Sequence, residues 1–131
     1  MSLVPFIRFS LAFGLGVILG GATSASAEEA QTWVLTSLNG SSPDVEVTLT
    51  LGSDGTVSGN SGCNRYTGRN NAELPQLALG PMASTRMACP ELELEATFLA
   101  ALMKATEAIE KDGQLVITGD ESTQLVFVPA E

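Results

Sequence analysis

Apolar and polar residues alternate most cleanly in "VEVTLTL", residues 45–51. Val45, Val47, Leu49 and Leu51 point to one side, and Glu46, Thr48 and Thr50 to the other. A period of two over this length predicts an antiparallel strand with one buried face. The preceding "TWVLTSLNG" (32–40) predicts another strand, with Trp33 and Leu35 sharing a face and Asn39-Gly40 as a turn. After the turn "GSDG" (52–55), "TVSGNSG" (56–62) predicts a returning strand whose glycines mark bulges or close backbone approach. "GRNNAELP" (68–75) is a polar loop and "QLALG" (76–80) a short strand. "PMASTRMAC" (81–89) is an extended segment, and its leading Pro81 suits a sheet edge.

The period then changes. Pro90 suits the start of a helix, and the pattern predicts one over about 91–111. Glu91, Glu93 and Glu95 sit where the helix dipole favours anions, and Lys111 where it favours cations. Leu94, Phe98, Leu102, Ala105 and Ile109 form an apolar stripe widened by Leu99, and Asp112-Gly113 ends it. "QLVIT" (114–118) and "QLVFV" (124–128) form a last hairpin, with Leu115 and Ile117 facing Leu125 and Phe127. The order predicts an α+β fold: one small domain, a curved antiparallel sheet with one helix on its apolar face.

The N-terminal region changes what folds. Residues 1–27 read as a signal peptide: Arg8 is the only charge, "FSLAFGLGVILGGA" (9–22) is too short to span a bilayer, and "ASA" (25–27) is a small-x-small cleavage site. Cleavage is expected after Ala27, leaving residues 28–131 as the domain. Ala22 stands where a lipid-bearing cysteine would be needed, so a periplasmic or secreted protein without a membrane anchor is expected.

All 15 acidic residues fall in 28–131, against five basic ones, for a net charge near −10. A surface this acidic disfavours nucleic acid as a partner. The chain contains no histidine, which removes Ser-His-Asp and Cys-His nucleophile pairs. With two cysteines it also lacks the usual zinc ligands, so no metal and no cofactor is expected. In an exported domain Cys63 and Cys89 are expected to form a disulfide, the alternative being two separate buried thiols. No Cys-x-x-Cys motif is present to indicate a dithiol oxidoreductase.

The densest cluster of unusual residues is "SGCNRYTG" (61–68), which holds one cysteine and the only tyrosine. Arg65 follows Cys63 by two positions and Arg86 precedes Cys89 by three. A disulfide would bring both arginines into one neighbourhood, where they would bind an anionic ligand or pair with the protein's own acceptors. Asn64 and Tyr66 complete the candidate ligand or partner site.

"TWVLTSLNG", "DGTVSGNSGCNRYTG" (54–68) and "MASTRMACP" (82–90), followed by "ELELEATFLAAL" (91–102), together resemble a META domain of the HslJ heat-shock type. The matching positions are Gly62, Cys63, Asn64, Arg65, Tyr66 and Gly68, then Thr85, Arg86, Met87 and Cys89. The resemblance implies a small α+β domain of exported or envelope proteins, in a family linked to heat-shock response, novobiocin resistance and virulence. It supplies no catalytic residues. The expected function is thus non-enzymatic: binding of a protein or small ligand of the cell envelope in stress tolerance, by a monomer. The alternative is a thiol-redox protein using Cys63 and Cys89.

Overall fold

A computed structural model describes residues 30–131. The segment read as a signal peptide lies outside them. Eight strands form one antiparallel sheet: β1 (Gln31–Leu38), β2 (Thr48–Leu51), β3 (Thr56–Asn60), β4 (Arg65–Arg69), β5 (Ala83–Ser84), β6 (Glu107–Lys111), β7 (Gln114–Thr118) and β8 (Gln124–Pro129). Their spatial order is β5-β4-β3-β2-β1-β8-β7-β6, and the helix α1 (Leu92–Lys104) joins the two edge strands in sequence. Among the described residues the expected α+β class, a curled sheet with one helix, is the class observed.

Alternation explains the core. Val47, Leu49, Val57 and Tyr66 are buried from one half of the sheet, and Leu115, Ile117, Leu125 and Phe127 from the other. In the last hairpin Leu115 lies opposite Phe127 and Ile117 opposite Leu125, as the pattern predicts. The first strand keeps Trp33, Leu35 and Leu38 all buried despite an odd spacing. A register shift against β8 between Leu35 and Ser37 makes this possible, because one extra residue resets which face the next side chain takes. From the helix, Phe98 and Leu102 fill the centre. The Phe98 ring meets Tyr66 edge-on at 5.6 Å and Phe127 at 6.5 Å, geometries that aromatic quadrupoles favour.

Two expectations fail here. The helix stops at Lys104, and Ala105 is already extended with ψ 141°. Residues 107–111 are instead strand β6, paired residue for residue with β7. Lys111 therefore caps no helix; Lys104 holds the last turn. Ile109 leaves the core stripe and is 42% exposed. The reason lies in Asp112-Gly113, which carries two signals. Both residues have positive φ (55° and 81°), the conformation of a two-residue type I′ hairpin turn, and Asn39-Gly40 repeats it with φ 50° and 93°. Pairing with β7 then outweighs the good helix propensity of "EAIEK". The second failure is "QLALG", which makes only isolated bridges, Asn70 to Leu79 and Gln76 to Glu107. Its backbone and that of the preceding Pro75 are used in closing the open side of the sheet: Leu77 N–H donates to the Thr106 carbonyl, and Ala108 N–H to the Pro75 carbonyl. Pro81 does lead into β5, which is a sheet edge as expected.

The glycine in β3 is required by close approach. Gly59 lies opposite Tyr66. A Cβ there would overlap the Thr48 carbonyl and come within 2.8 Å of the Tyr66 hydroxyl. That hydroxyl donates to the same carbonyl at 2.7 Å. Gly59→Ala is expected to destabilise the domain by about 1–3 kcal/mol, as overpacking does. Urea denaturation measures it, and a change within error would mean that β2 and β3 separate freely at this point.

Candidate functional site

The strand pairings place one row of side chains across the outer face of the sheet. Thr32 is opposite Thr50, Thr50 opposite Ser58, Ser58 opposite Thr67, and Thr67 opposite Ala83. Directly opposed residues share a face, so hydroxyls of β1 to β4 stand side by side. They are the polar half of the same alternation that buries Leu49, Val57 and Tyr66. From Thr50 to Ala83 the row floors an open groove of about 680 Å³, whose lining also includes Asn60, Arg65 and Thr85. Arg65 is exposed, and among the described residues its guanidinium makes no hydrogen bond to the protein. Arg69 is engaged, donating to the Asp54 carbonyl at 2.7 Å.

Beneath the groove lies a buried polar cluster. Ser61, Asn64 and Glu95 are 0%, 1% and 8% exposed. Glu95 projects inward because residues 95, 98 and 102 recur at helical spacing, so it shares the buried face with Phe98 and Leu102. Its Oε1 accepts from Ser61 Oγ (2.9 Å), Asn64 N (3.2 Å) and Asn64 Nδ2 (3.1 Å), and its Oε2 also accepts from Asn64 Nδ2. Every donor to this carboxylate is neutral. Asn64 in turn holds the segment after β5. Its Oδ1 accepts from Met87 N at 2.6 Å and from Thr85 Oγ1 at 2.8 Å, while its Nδ2 donates to the Met87 carbonyl at 3.2 Å. The same segment is tied covalently: Cys63 and Cys89 form a disulfide with a Cα–Cα distance of 6.5 Å.

The candidate residues therefore separate. Cys63 and Cys89 are joined. The Asn64 side chain is turned inward and wholly used in holding Glu95, Thr85 and Met87. Tyr66 is buried, its hydroxyl donates to the Thr48 carbonyl, and burial raises its pKa well above the ordinary tyrosine value. Arg65 lines the groove, whereas Arg86 lies outside it, exposed on the segment that Asn64 grips. Sequence reasoning missed Ser61 and Glu95. It also noted the polar positions Thr48 and Thr50 without connecting them to Ser58 and Thr67. The 95–98–102 spacing was the available signal for Glu95. The hydroxyl row needed the strand registers.

Fold and site define a small α+β domain whose edge segment is clamped by a disulfide and a buried carboxamide. The META-domain family model matches residues 26–131, and the chain belongs to that family. Among solved structures, the chain is similar to a protein from Burkholderia xenovorans determined by NMR, at 28% identity, covering 97% of this chain and 99% of that one, with a TM-score of 0.60. A second NMR structure, 23% identical over 81% of this chain and 94% of its own, also has a TM-score of 0.60 and shares the fold. A comparison with curated proteins found no match.

Proposed function

We propose that this META-domain protein is an exported, non-enzymatic binding protein of the cell envelope that contributes to stress tolerance. On this reading the groove over β2–β5 takes a small anionic, hydroxyl-bearing ligand. The carrying observation is the coexistence in that groove of a hydroxyl row, Thr50–Ser58–Thr67, with the unengaged guanidinium of Arg65. Hydroxyls both donate and accept, and a guanidinium offers a planar fork to carboxylate or phosphate. On a surface with a net charge near −10, a free arginine is the point where an anion meets least repulsion. The absence of histidine and the pairing of both cysteines argue against nucleophilic and thiol-redox chemistry. The signal-like N-terminus and the disulfide suit an oxidising, exported location.

Citrate and inorganic phosphate serve as probes. In an NMR titration, amide shifts are expected to concentrate at residues 48–50, 58–60 and 65–67. Arg65→Ala should abolish them while leaving Tm unchanged, because the side chain is exposed and unpaired. Shifts scattered over the surface, or retained in Arg65→Ala, would refute the groove. A large fall in Tm would instead give Arg65 a structural role.

A further inference from the structure

Residues 85–88, "TRMA", are all exposed, and β5, which leads into them, is an edge strand paired only to β4. The segment is nonetheless fixed at both ends. At its start, Thr85 N–H donates to the Arg65 carbonyl at 3.0 Å and Arg65 N–H to Thr85 Oγ1 at 3.1 Å. At its end, Cys89 is bonded to Cys63. Between them, the backbone N–H and carbonyl of Met87 are both held by the buried Asn64 carboxamide, which Glu95 orients from below. Arg86 has neither its backbone nor its side chain engaged among the described residues, and the Met87 side chain is 56% exposed. The fold thus anchors a short segment at Thr85, Met87 and Cys89 and presents an unpaired arginine between the first two anchors.

We propose that this segment is a substrate-like inhibitory loop for a serine protease whose primary pocket is acidic, with Arg86 entering that pocket. An edge strand offers main-chain hydrogen-bonding groups for a protease cleft to pair with, and Arg86 supplies the cation. Because the loop is ordered before binding, little conformational entropy is lost on association. Its anchoring also determines the fate of the bond. The protease serine oxygen attacks the Arg86 carbonyl carbon, the Arg86–Met87 C–N bond breaks, and the departing Met87 nitrogen takes a proton from the protease's general acid. In an ordinary substrate this new amine diffuses away, and water hydrolyses the acyl-enzyme. Here Asn64 and the Cys63–Cys89 disulfide keep Met87 in place. Its amine stays at high effective concentration beside the ester and re-forms the peptide bond, returning the proton and the serine. The protease remains occupied.

This inference uses the clamped edge and is independent of the Arg65 groove. The test uses the oxidised, folded protein against trypsin, followed with a small amide substrate. Inhibition with a constant below about 1 µM is expected, with the chain intact or only slowly nicked after Arg86. Arg86→Phe should weaken trypsin inhibition about 100-fold and create inhibition of chymotrypsin, while Arg65→Ala should inhibit trypsin like the wild type. Absence of inhibition overturns the proposal, as does cleavage at Arg86–Met87 as fast as in the reduced, unfolded chain. It also falls if Arg86→Phe inhibits trypsin undiminished, since the inhibitory contact would then lie elsewhere.

Discussion

Asn64→Ala is expected to destabilise the domain by about 3–5 kcal/mol, a large part of the ~5–15 kcal/mol that typically holds a domain folded. Asn64 is one of the most deeply buried polar residues, and its carboxamide satisfies groups of three residues on two separate pieces of chain: Glu95 of the helix, and Thr85 and Met87 of the edge segment. Truncation removes those bonds and leaves the Glu95 carboxylate with fewer donors in a place water does not readily reach. An unsatisfied buried charge costs more than an unsatisfied neutral group, which itself costs about 1–3 kcal/mol. Urea denaturation gives the number. A loss below about 1 kcal/mol would mean that water enters and replaces the amide, and that the cluster contributes little to stability. Glu95→Gln provides the companion measurement. It keeps the shape but turns one acceptor into a donor facing Asn64 Nδ2 or Ser61 Oγ, so it should also destabilise, by a smaller amount.

The second large effect concerns the disulfide. Replacing Cys63 and Cys89 together with serine is expected to lower stability by about 3–4 kcal/mol, the chain-entropy value for closing a loop of 26 residues. The native structure should survive, since Asn64 grips the same segment from inside. The two devices act on different states. The disulfide restricts the unfolded chain, whereas the Asn64–Glu95 cluster stabilises the folded one. The double serine variant should therefore unfold at lower urea while its NMR spectrum changes only around residues 61–66 and 85–91. Unchanged stability would show that the bridge does not constrain the unfolded chain. The thiol-redox alternative makes its own demand: the pair must open under mild reductant. Resistance of the bridge to mild reductant is expected, and it would remove that alternative.

The most ambiguous part of the sequence was the helix end. "EAIEKDG" satisfies the rules for a helix terminus, with good helix formers, a late lysine and a final glycine. It satisfies equally the rules for a hairpin arm with an Asp-Gly turn. Local preference does not separate them. Three-dimensional pairing does, because β7 needs a neighbour on its outer side and residues 107–111 supply one in register. Reading Ile109 as a core residue followed from the same ambiguity.

What the sequence by itself determined was everything resting on short-range periodicity and residue chemistry. This includes the buried faces of β1, β2, β7 and β8, the helix that begins after Pro90, the edge position of the segment after Pro81, the family, and the expectation that the two cysteines pair. These follow from alternation, from proline's missing donor and from the pairing expected of two cysteines behind a signal-like N-terminus, none of which needs a third dimension. Tertiary structure alone decided what the rare residues in "SGCNRYTG" do. Asn64 turns inward to Glu95 and Met87, and Tyr66 packs on Phe98. Arg65 is left facing a row of hydroxyls drawn from neighbouring strands. The Asn64 and Tyr66 roles depend on partners 23 to 32 positions away in the chain, brought together by strand register and helix packing. Contacts of that range leave no periodic trace along the chain, because they are properties of how the elements meet.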